Sequence, residues 1–446
     1  MGSSVHGIKL PFVLTWVVAG ALQYGFHISA LNFQFGVVTS AYTIGGLASS
    51  LYTGRLADAR GRKATALISA WLVVLATFWR AASPHVVPHF QQEPDPFGSE
   101  QGNASIAFGS VLALLVLGRI LVGLACGIST VLVPLYLNEL SPPSLKGNIG
   151  VLTQLSICAG ILLAQSISSR WKDLIVTSPV MVETKSQIKS SNAFDAAEDE
   201  ERAPLAGQES EHEPPSATRA NASASMSVSE VLSSPDPAVK SALWTLALSQ
   251  FFQQTSGINS VMYYSVGILT AVNPANAKVV AVFVTVVNFV MTLPAVYLID
   301  RLGRRFLLLF SLTTMSIASL VLAYSINNSK FVLAATFIVL FVATFSVGLG
   351  PIPFVLTGEL APPPSRSATA SVALAVNWVS NLLVVSCRTD SGSKVSDVCL
   401  SNKGLTFLPL RDWLAGGKAD GSGTVFYVFA VMSALGCVVL AKRLSK

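Results

Sequence analysis

Gly54-Arg55-Leu56-Ala57-Asp58-Ala59-Arg60-Gly61-Arg62-Lys63 stands between two long apolar runs, and Tyr297-Leu298-Ile299-Asp300-Arg301-Leu302-Gly303-Arg304-Arg305 stands between two more. Each holds an acid, two spacer residues, a glycine and then two adjacent bases. A basic turn of this kind, repeated between apolar segments, implies a membrane protein built from two related halves.

Composition agrees. Of 446 residues, 52% are hydrophobic and only 12% charged, roughly half the charge of an average soluble domain. The mean hydropathy of +0.59 and the repeated runs of about 20 apolar residues indicate an all-α polytopic membrane protein. The net charge of +6 is not a nucleic-acid signal, because the bases cluster in short turns where the positive-inside rule places them on the cytoplasmic side. Cys126, Cys158, Cys387, Cys399 and Cys437 form no metal spacing. Three of them lie in apolar stretches as small core residues, while Cys387 and Cys399 fall in one loop and are able to bridge there.

Eleven spans are expected, at about 10–31, 35–53, 64–82, 108–138, 147–168, 241–271, 278–299, 306–325, 331–357, 367–387 and 424–441. The first is read as a helix, not as a removable signal peptide. The chain divides into an N-terminal helical half at 1–168, a polar linker at 169–240 and a C-terminal half of six spans at 241–446. The stretch 183–237 contains Glu198-Asp199-Glu200-Glu201 and His212-Glu213-Pro214-Pro215. It is too polar to bury a core and reads as largely disordered, or in part as short amphipathic helices on the cytosolic face. Topology exposes a gap. With both basic turns inside, one crossing is missing from the first half, and the only apolar material there, 174–182, would reach only roughly 14 Å as a helix. The expected sixth helix is thus absent or degenerate. Asn32-Phe33-Gln34 leaves an unusually short first connection, whereas 84–105 reads as a long loop carrying the sequon Asn103-Ala104-Ser105.

A second repeat runs behind the first. Glu139 precedes Lys146 by seven residues across Leu140-Ser141-Pro142-Pro143, and Glu359 precedes Arg366 by seven across Leu360-Ala361-Pro362-Pro363-Pro364. The turn acids are offset by 242 residues and these acids by 220; the difference of 22 is the length of 84–105. One loop insertion therefore restores register. Charges at helix ends beside lipid must pair or reach the headgroups. Arg55, Asp58, Arg62, Glu139, Lys146, Asp300, Arg304, Glu359 and Arg366 accordingly read as a cytosolic gate that latches when the halves close, or as topological anchors.

Inside the spans, polar residues concentrate. Gln253-Gln254-Thr255-Ser256-Gly257-Ile258-Asn259 followed by Tyr263-Tyr264 is the densest set, joined by Gln154, Asn288, Asn377-Trp378 and Asn381. Amides donate and accept, which is the chemistry that replaces water around a polyol. An indole such as Trp378 stacks on the apolar face of a sugar ring. Gly257, Gly348, Gly350, Pro351 and Pro353 are placed to break their helices around a central site.

These residues carry a resemblance. The chain resembles the sugar porter family of the major facilitator superfamily, on the two basic turns, Arg119 with Gly123 and Gly127, Pro134-Leu135-Tyr136 with Glu139, the Gln253 to Asn259 run, Gly350-Pro351-Ile352-Pro353 and Asn377-Trp378-Val379-Ser380-Asn381. Phe407-Leu408-Pro409-Leu410-Arg411-Asp412-Trp413-Leu414 is similar to a fungal, vacuole-associated branch. The resemblance implies a major facilitator fold of two pseudo-symmetric bundles. It assigns sugar hydrogen bonds to Gln154, Gln253, Gln254, Asn259, Asn288 and Asn381, with the Trp378 region beside them. The chain also departs from the family. Phe354 stands where tryptophan usually follows Gly-Pro-x-Pro, and the Pro-Glu-Ser-Pro-Arg and Pro-Glu-Thr-Lys-Gly signatures are missing. His27 occupies a first-helix position where proton-coupled members carry aspartate and facilitators commonly asparagine. It reads as a proton-linked group or as a neutral hydrogen-bonding residue.

The expected function is transport of a monosaccharide by alternating access, as a facilitator or a proton symporter, in the plasma or vacuolar membrane. No enzyme chemistry, metal or cofactor is expected; the partners are a small sugar, the bilayer and, in a symporter, protons. The rival readings are a sugar sensor or trafficking factor with the same fold, and an inactive truncated product. If His27 is neutral, His27→Asn leaves the pH profile of uptake unchanged; a lost acidic or alkaline limb would assign the proton to this histidine.

Overall fold

The computed structural model describes residues 36–86, 101–142, 145–170, 226–259, 261–262, 277–385 and 423–444. Before the linker the described residues form four helices: α1 (Gly36–Arg60), α2 (Arg62–Val86), α3 (Gln101–Leu140) and α4 (Lys146–Arg170). After it come α5 (Val228–Ser233), α6 (Pro237–Thr255), α7 (Ala277–Leu302), α8 (Arg304–Asn327), α9 (Phe331–Val347), α10 (Ile352–Glu359), α11 (Arg366–Val385) and α12 (Thr424–Arg443). There is no strand among the described residues. The first-span expectation, the missing sixth crossing, His27, Tyr263-Tyr264, Cys387 and Cys399 all lie outside the described residues.

The basic turns are true structural repeats. α1 ends and α2 begins around Gly61 at φ +84°, and α7 ends and α8 begins around Gly303 at φ +82°. A left-handed residue between two helices reverses the chain in a single position, and only glycine adopts it without a Cβ penalty. The sequence pattern thus encodes one turn twice.

Among the described residues eight segments are long and apolar enough to cross a membrane, drawn from α2, α3, α4, α7, α8, the α9–α10 pair, α11 and α12. α1 and α6 fall short of that hydropathy because their polar residues face protein. Thr43, Ser49, Ser50 and Thr53 of α1 are buried, as are Thr245, Ser249, Gln250, Gln253 and Gln254 of α6. Apolar side chains are instead turned outward: Trp71 and Phe78 are 67% and 71% exposed, and Val332 is 77% exposed. That inversion is what lipid, itself as apolar as leucine, permits.

The 84–105 region is less loop-like than its prolines predict. α2 runs to Val86, and α3 starts at Gln101, so the sequon lies on a helix. At 40 residues α3 extends about 60 Å, twice the roughly 30 Å of hydrocarbon, and so projects well beyond it. The 331–357 span is two helices, interrupted between Val347 and Ile352, and α6 stops at Thr255 just before Gly257, whose φ is +90°. Both breaks fall where glycine and proline predicted them.

Two bundles result, α1–α4 and α6–α12. α1 crosses α3 at Gly45, Gly123 and Gly127, where any Cβ would meet the opposing backbone or the Ser49 hydroxyl. Between bundles, α1 packs on α11 and α4 on α7, two contacts related by the internal repeat. Gly46 lies against the Trp378 rings, Gly54 against the Ser367 backbone, and Gly150 against Val355. One buried cluster joins Tyr42, Val122, Ile157 and Ile161 to Phe354, Leu374 and Trp378, so the core is continuous across the interface.

The end of the linker folds too. Ser227 caps α5 in a capping box with Glu230, and Asp236 caps α6 through Ala238 N–H with Pro237 at its first position. The segment is tied to the second bundle by Met226 N–H donating to Pro364 O at 2.9 Å and by Val231 buried with Val239, Leu243 and Ala368.

A contrast between two glycines follows. Nothing lies within 4 Å of a Cβ at Gly61, so Gly61→Ala costs only the left-handed backbone, about 1–2 kcal/mol. Gly127→Val drives its side chain into Gly46 and Ser49; its thermal midpoint in detergent is expected several degrees below that of Gly61→Ala.

Candidate functional site

The densest polar set in the sequence becomes a single hydrogen-bonded array between α6 and α11. Asn377 stands at its centre. Its Nδ2 donates to Gln250 Oε1 at 2.7 Å and Gln253 Oε1 at 2.9 Å, and its Oδ1 accepts from Gln254 Nε2 at 3.0 Å. Asn259 Nδ2 donates to Gln254 Oε1 at 2.5 Å and to Asn381 Oδ1 at 2.9 Å. Gln253 Nε2 reaches the break between α9 and α10, donating to Leu349 O at 3.1 Å and Gly350 O at 2.8 Å. All six amides are buried. Gln250 and Gln254 recur one helical turn apart, with Gln253 beside them, which places all three on one side of α6.

A second array sits where α4 of the first bundle meets α7 and α9 of the second. Asn288 Oδ1 accepts from Ser346 Oγ at 2.8 Å and from Cys158 Sγ at 3.3 Å. Gln154 Nε2 donates to Cys158 Sγ at 3.4 Å, and Thr292 Oγ1 lies 3.6 Å from the same sulfur. The two arrays approach each other at Gly350, where a Cβ would stand 3.3 Å from Gln154 Nε2. The expected ligands Gln154, Gln253, Gln254, Asn259, Asn288 and Asn381 are therefore brought together around one helix break.

Buried polar atoms without partners locate spare capacity. Gln250 Nε2 and Asn381 Nδ2 are buried donors with no hydrogen-bond partner among the described residues. Leaving such a group unpaired costs about 1–3 kcal/mol, which a polar ligand reverses. Trp378 is 1% exposed, edge-on to Tyr42 with ring centroids 5.5 Å apart and its rings over Gly46. In this conformation its faces are taken by protein, and it acts as a spacer between the bundles beside the amides. Phe354 lies in the same buried cluster.

Gln250, Asn377, Cys158, Thr292 and Ser346 join the arrays without having been singled out as ligands. Gln250 was legible, since it precedes Gln254 by one turn. Cys158 and Ser346 carried no signal, because a cysteine or serine in an apolar helix looks like packing.

The charged residues gather at one end of the bundles. Arg62 donates to Glu139 through Nε at 3.1 Å and Nη2 at 2.7 Å, a bidentate pair, and through Nη1 to Asp58 at 2.7 Å. Arg304 Nη2 lies 3.2 Å from Asp300 and 3.1 Å from Glu359. Each late acid is thus held by the basic turn of its own bundle. Arg366 turns its Nε to Ala361 O at 3.4 Å, and the side chain of Lys146 is outside the described residues. Arg55 is exposed; together with the Ser227 main-chain N–H and hydroxyl, which dominate, it holds the Glu230 carboxyl below the usual carboxylate range.

The shorter bonds between the bundles at this end come from neutral donors. Ser367 Oγ donates to Asp58 Oδ1 at 2.9 Å, Arg62 Nη2 lies 3.5 Å from Ser367 Oγ, and Gly54 N–H donates to Ser371 Oγ at 3.0 Å. On the other side Asn148, with its amide nitrogen facing α7, donates to Asp300 Oδ2 at 2.6 Å and Val296 O at 2.5 Å.

Comparisons with known proteins agree with this architecture. Residues 12–176 and 178–444 match the family described as Sugar (and other) transporter. A probable metabolite transport protein of Saccharomyces cerevisiae is 27% identical over 96% of this chain and 83% of its own. The facilitated glucose transporter member 3 of Mus musculus is 27% identical over 86% and 84%. The vacuolar protein sorting-associated protein 73 of Saccharomyces cerevisiae is 25% identical over 95% and 82%. Among solved structures, the major facilitator proton:xylose symporter XylE superposes with a TM-score of 0.68 at 18% identity, covering 98% of this chain and 96% of that one. A bacterial homologue of the iron transporter ferroportin does so at 0.66 and 14%, covering 97% and 100%, so the fold alone does not select the cargo. Matched over nearly its whole length, the chain is an integral multi-pass membrane protein that belongs to the sugar (and other) transporter family and has the major facilitator fold.

Proposed function

We propose that this protein carries a monosaccharide across its membrane, binding it between the two bundles and exposing it to each side in turn. The observation that carries the reading is the buried amide array of Gln250, Gln253, Gln254, Asn259, Asn377 and Asn381, with two donors left unpaired among the described residues. Uncharged groups able both to donate and to accept match the hydroxyls of a hexose or pentose, whereas a charged cargo would need charged partners. Gln154 and Asn288 supply the facing groups from α4 and α7. Family membership and the two relatives named for glucose and xylose support a sugar as the cargo.

The relatives' names span both energetic modes, facilitated diffusion and proton symport. We favour the facilitator, since the described arrays contain amides, hydroxyls and the Cys158 thiol and no carboxyl group; His27 remains the position through which a proton would couple. By the positive-inside rule the charged end faces the cytosol. The membrane is the plasma or the vacuolar one, and the relative named for vacuolar sorting favours the vacuole. That same name supports the second reading, a sensor or trafficking factor that binds sugar without moving it.

Uptake of labelled hexose by the purified full chain in proteoliposomes separates them. Carrier function predicts saturable uptake that falls at least about tenfold in Gln254→Ala and in Asn288→Ala, the loss of one buried hydrogen bond. Sugar binding retained with no uptake in the parent chain would establish the sensor instead.

A further inference from the structure

At the charged end, every ion pair described above closes within one bundle. Arg62, Asp58 and Glu139 belong to α1–α3, and Arg304, Asp300 and Glu359 to α7–α10. Rocking one bundle against the other as rigid bodies leaves such pairs intact, so they do not by themselves hold this end shut. The bonds that must break are those that cross, and at the charged end of the α4–α7 contact the crossing side chain among the described residues is Asn148.

The repeat explains why it is Asn148. With the offset of 242, Asp58 corresponds to Asp300; with the offset of 220, Gly147 corresponds to Ser367 and Asn148 to Ala368. In the first pairing Ser367, one residue into α11, donates to Asp58. In the second, the position equivalent to Ser367 is Gly147, where a Cβ would run into Asp300 Oδ1 and sit 2.6 Å from Arg304 Nη2. The start of α4 therefore lies too close to Asp300 to carry a side chain at 147, and the donor has moved one residue along. Both acids also meet the N-terminal turn of a helix from the other bundle, where free main-chain N–H groups favour a carboxylate.

On the carrier reading above, we infer that Asn148 is a positioning residue of the gate: its carboxamide, held on Asp300, ties α4 to α7 and sets how often the charged end is open. Hydrogen bonds to an ionised acceptor are about twice as strong as neutral ones. Unlike a long ion pair, the short amide arm loses its contact with a small displacement, so closure is all or none at this point. Asp300 is shared between an intrabundle partner, Arg304, and a crossing one, Asn148. When the bundles part, Arg304 retains it, and the acid is never left unpaired.

The test uses the full chain with its five cysteines replaced and a reporter, Val355→Cys, in the interface facing Gly150, where Val355 is 3% exposed. Labelling in detergent by a charged maleimide reads opening without requiring transport. Asn148→Asp keeps the size, deletes the donor and sets two carboxylates together; the labelling rate is expected to rise about tenfold, one crossing bond's worth. Asn148→Ala should give a smaller rise. Asn148→Asp with Asp300→Asn exchanges donor and acceptor and is expected to return the rate to within about twofold of the parent, a reversal that simple loss of packing would not show. In proteoliposomes, Asn148→Asp should raise the KM from the far side and lower it from the charged side, because apparent affinity scales with the fraction of carrier open to that side. An unchanged labelling rate in Asn148→Asp, or a rise that the exchange does not reverse, would overturn the inference. Absence of uptake in the parent chain would count against the carrier reading alone.

Discussion

Breaking α9 from α10 frees main-chain carbonyls deep inside an apolar protein, and the hydrogen bonds from Gln253 to Leu349 O and Gly350 O satisfy them. In hydrocarbon no water does this, so a broken helix is stable only where protein supplies the partners. The rest of the site follows from that bond. Gln253 must lie on α6 facing the break, Asn377 must hold Gln253 from α11, and Gln250, Gln254, Asn259 and Asn381 then close the array. The break also brings Gly350 to Gln154, so that groups of the first bundle and of the second meet at one place.

A carrier needs two bundles that touch closely yet separate cleanly, and the structure divides these demands between residue types. Glycines at 46, 54 and 150 let the facing helices approach with little interlocking. Among the described residues the ion pairs stay within a bundle, and the bonds that cross at the charged end come mainly from the short neutral donors Ser367, Asn148 and the Gly54 N–H, with one long contact from Arg62 to Ser367. Partly exposed ion pairs contribute only about 0–1 kcal/mol each. Their larger effect here is to hold Asp58 and Asp300 where a donor from the other bundle finds them.

Much of this was legible in the sequence. The repeated basic turn implied one chain reversal used twice, and Gly61 and Gly303 both make it at positive φ. The prolines and glycines at 348–353 and Gly257 announced the helix breaks, and the run of amides announced the array. What was not legible depended on partners far apart in the chain. Glu139 and Glu359 each stand seven residues before a base, but the geometry gives them Arg62 and Arg304, because the turn of the same bundle folds back over the helix end. Asn148 and Ser367 carried no sequence signal, because the acids they meet, Asp300 and Asp58, lie far away in the chain. The prolines of 84–105 suggested a loop, yet α2 and α3 continue into it, since outside the hydrocarbon local helix propensity is unopposed. The amides were readable as a set because each is costly in lipid; Cys158 and Ser346 are cheap to bury, and so gave no warning.

The central claim is that sugar binding between the bundles is coupled to their rocking. The most direct measurement places spin labels at Arg60→Cys and Arg301→Cys, on exposed turns of opposite bundles, and records the distance distribution with and without a saturating hexose. Two distance populations, whose ratio shifts on adding sugar and stays fixed when Asn377→Ala disables the array, are predicted. A single distribution indifferent to sugar would contradict the account.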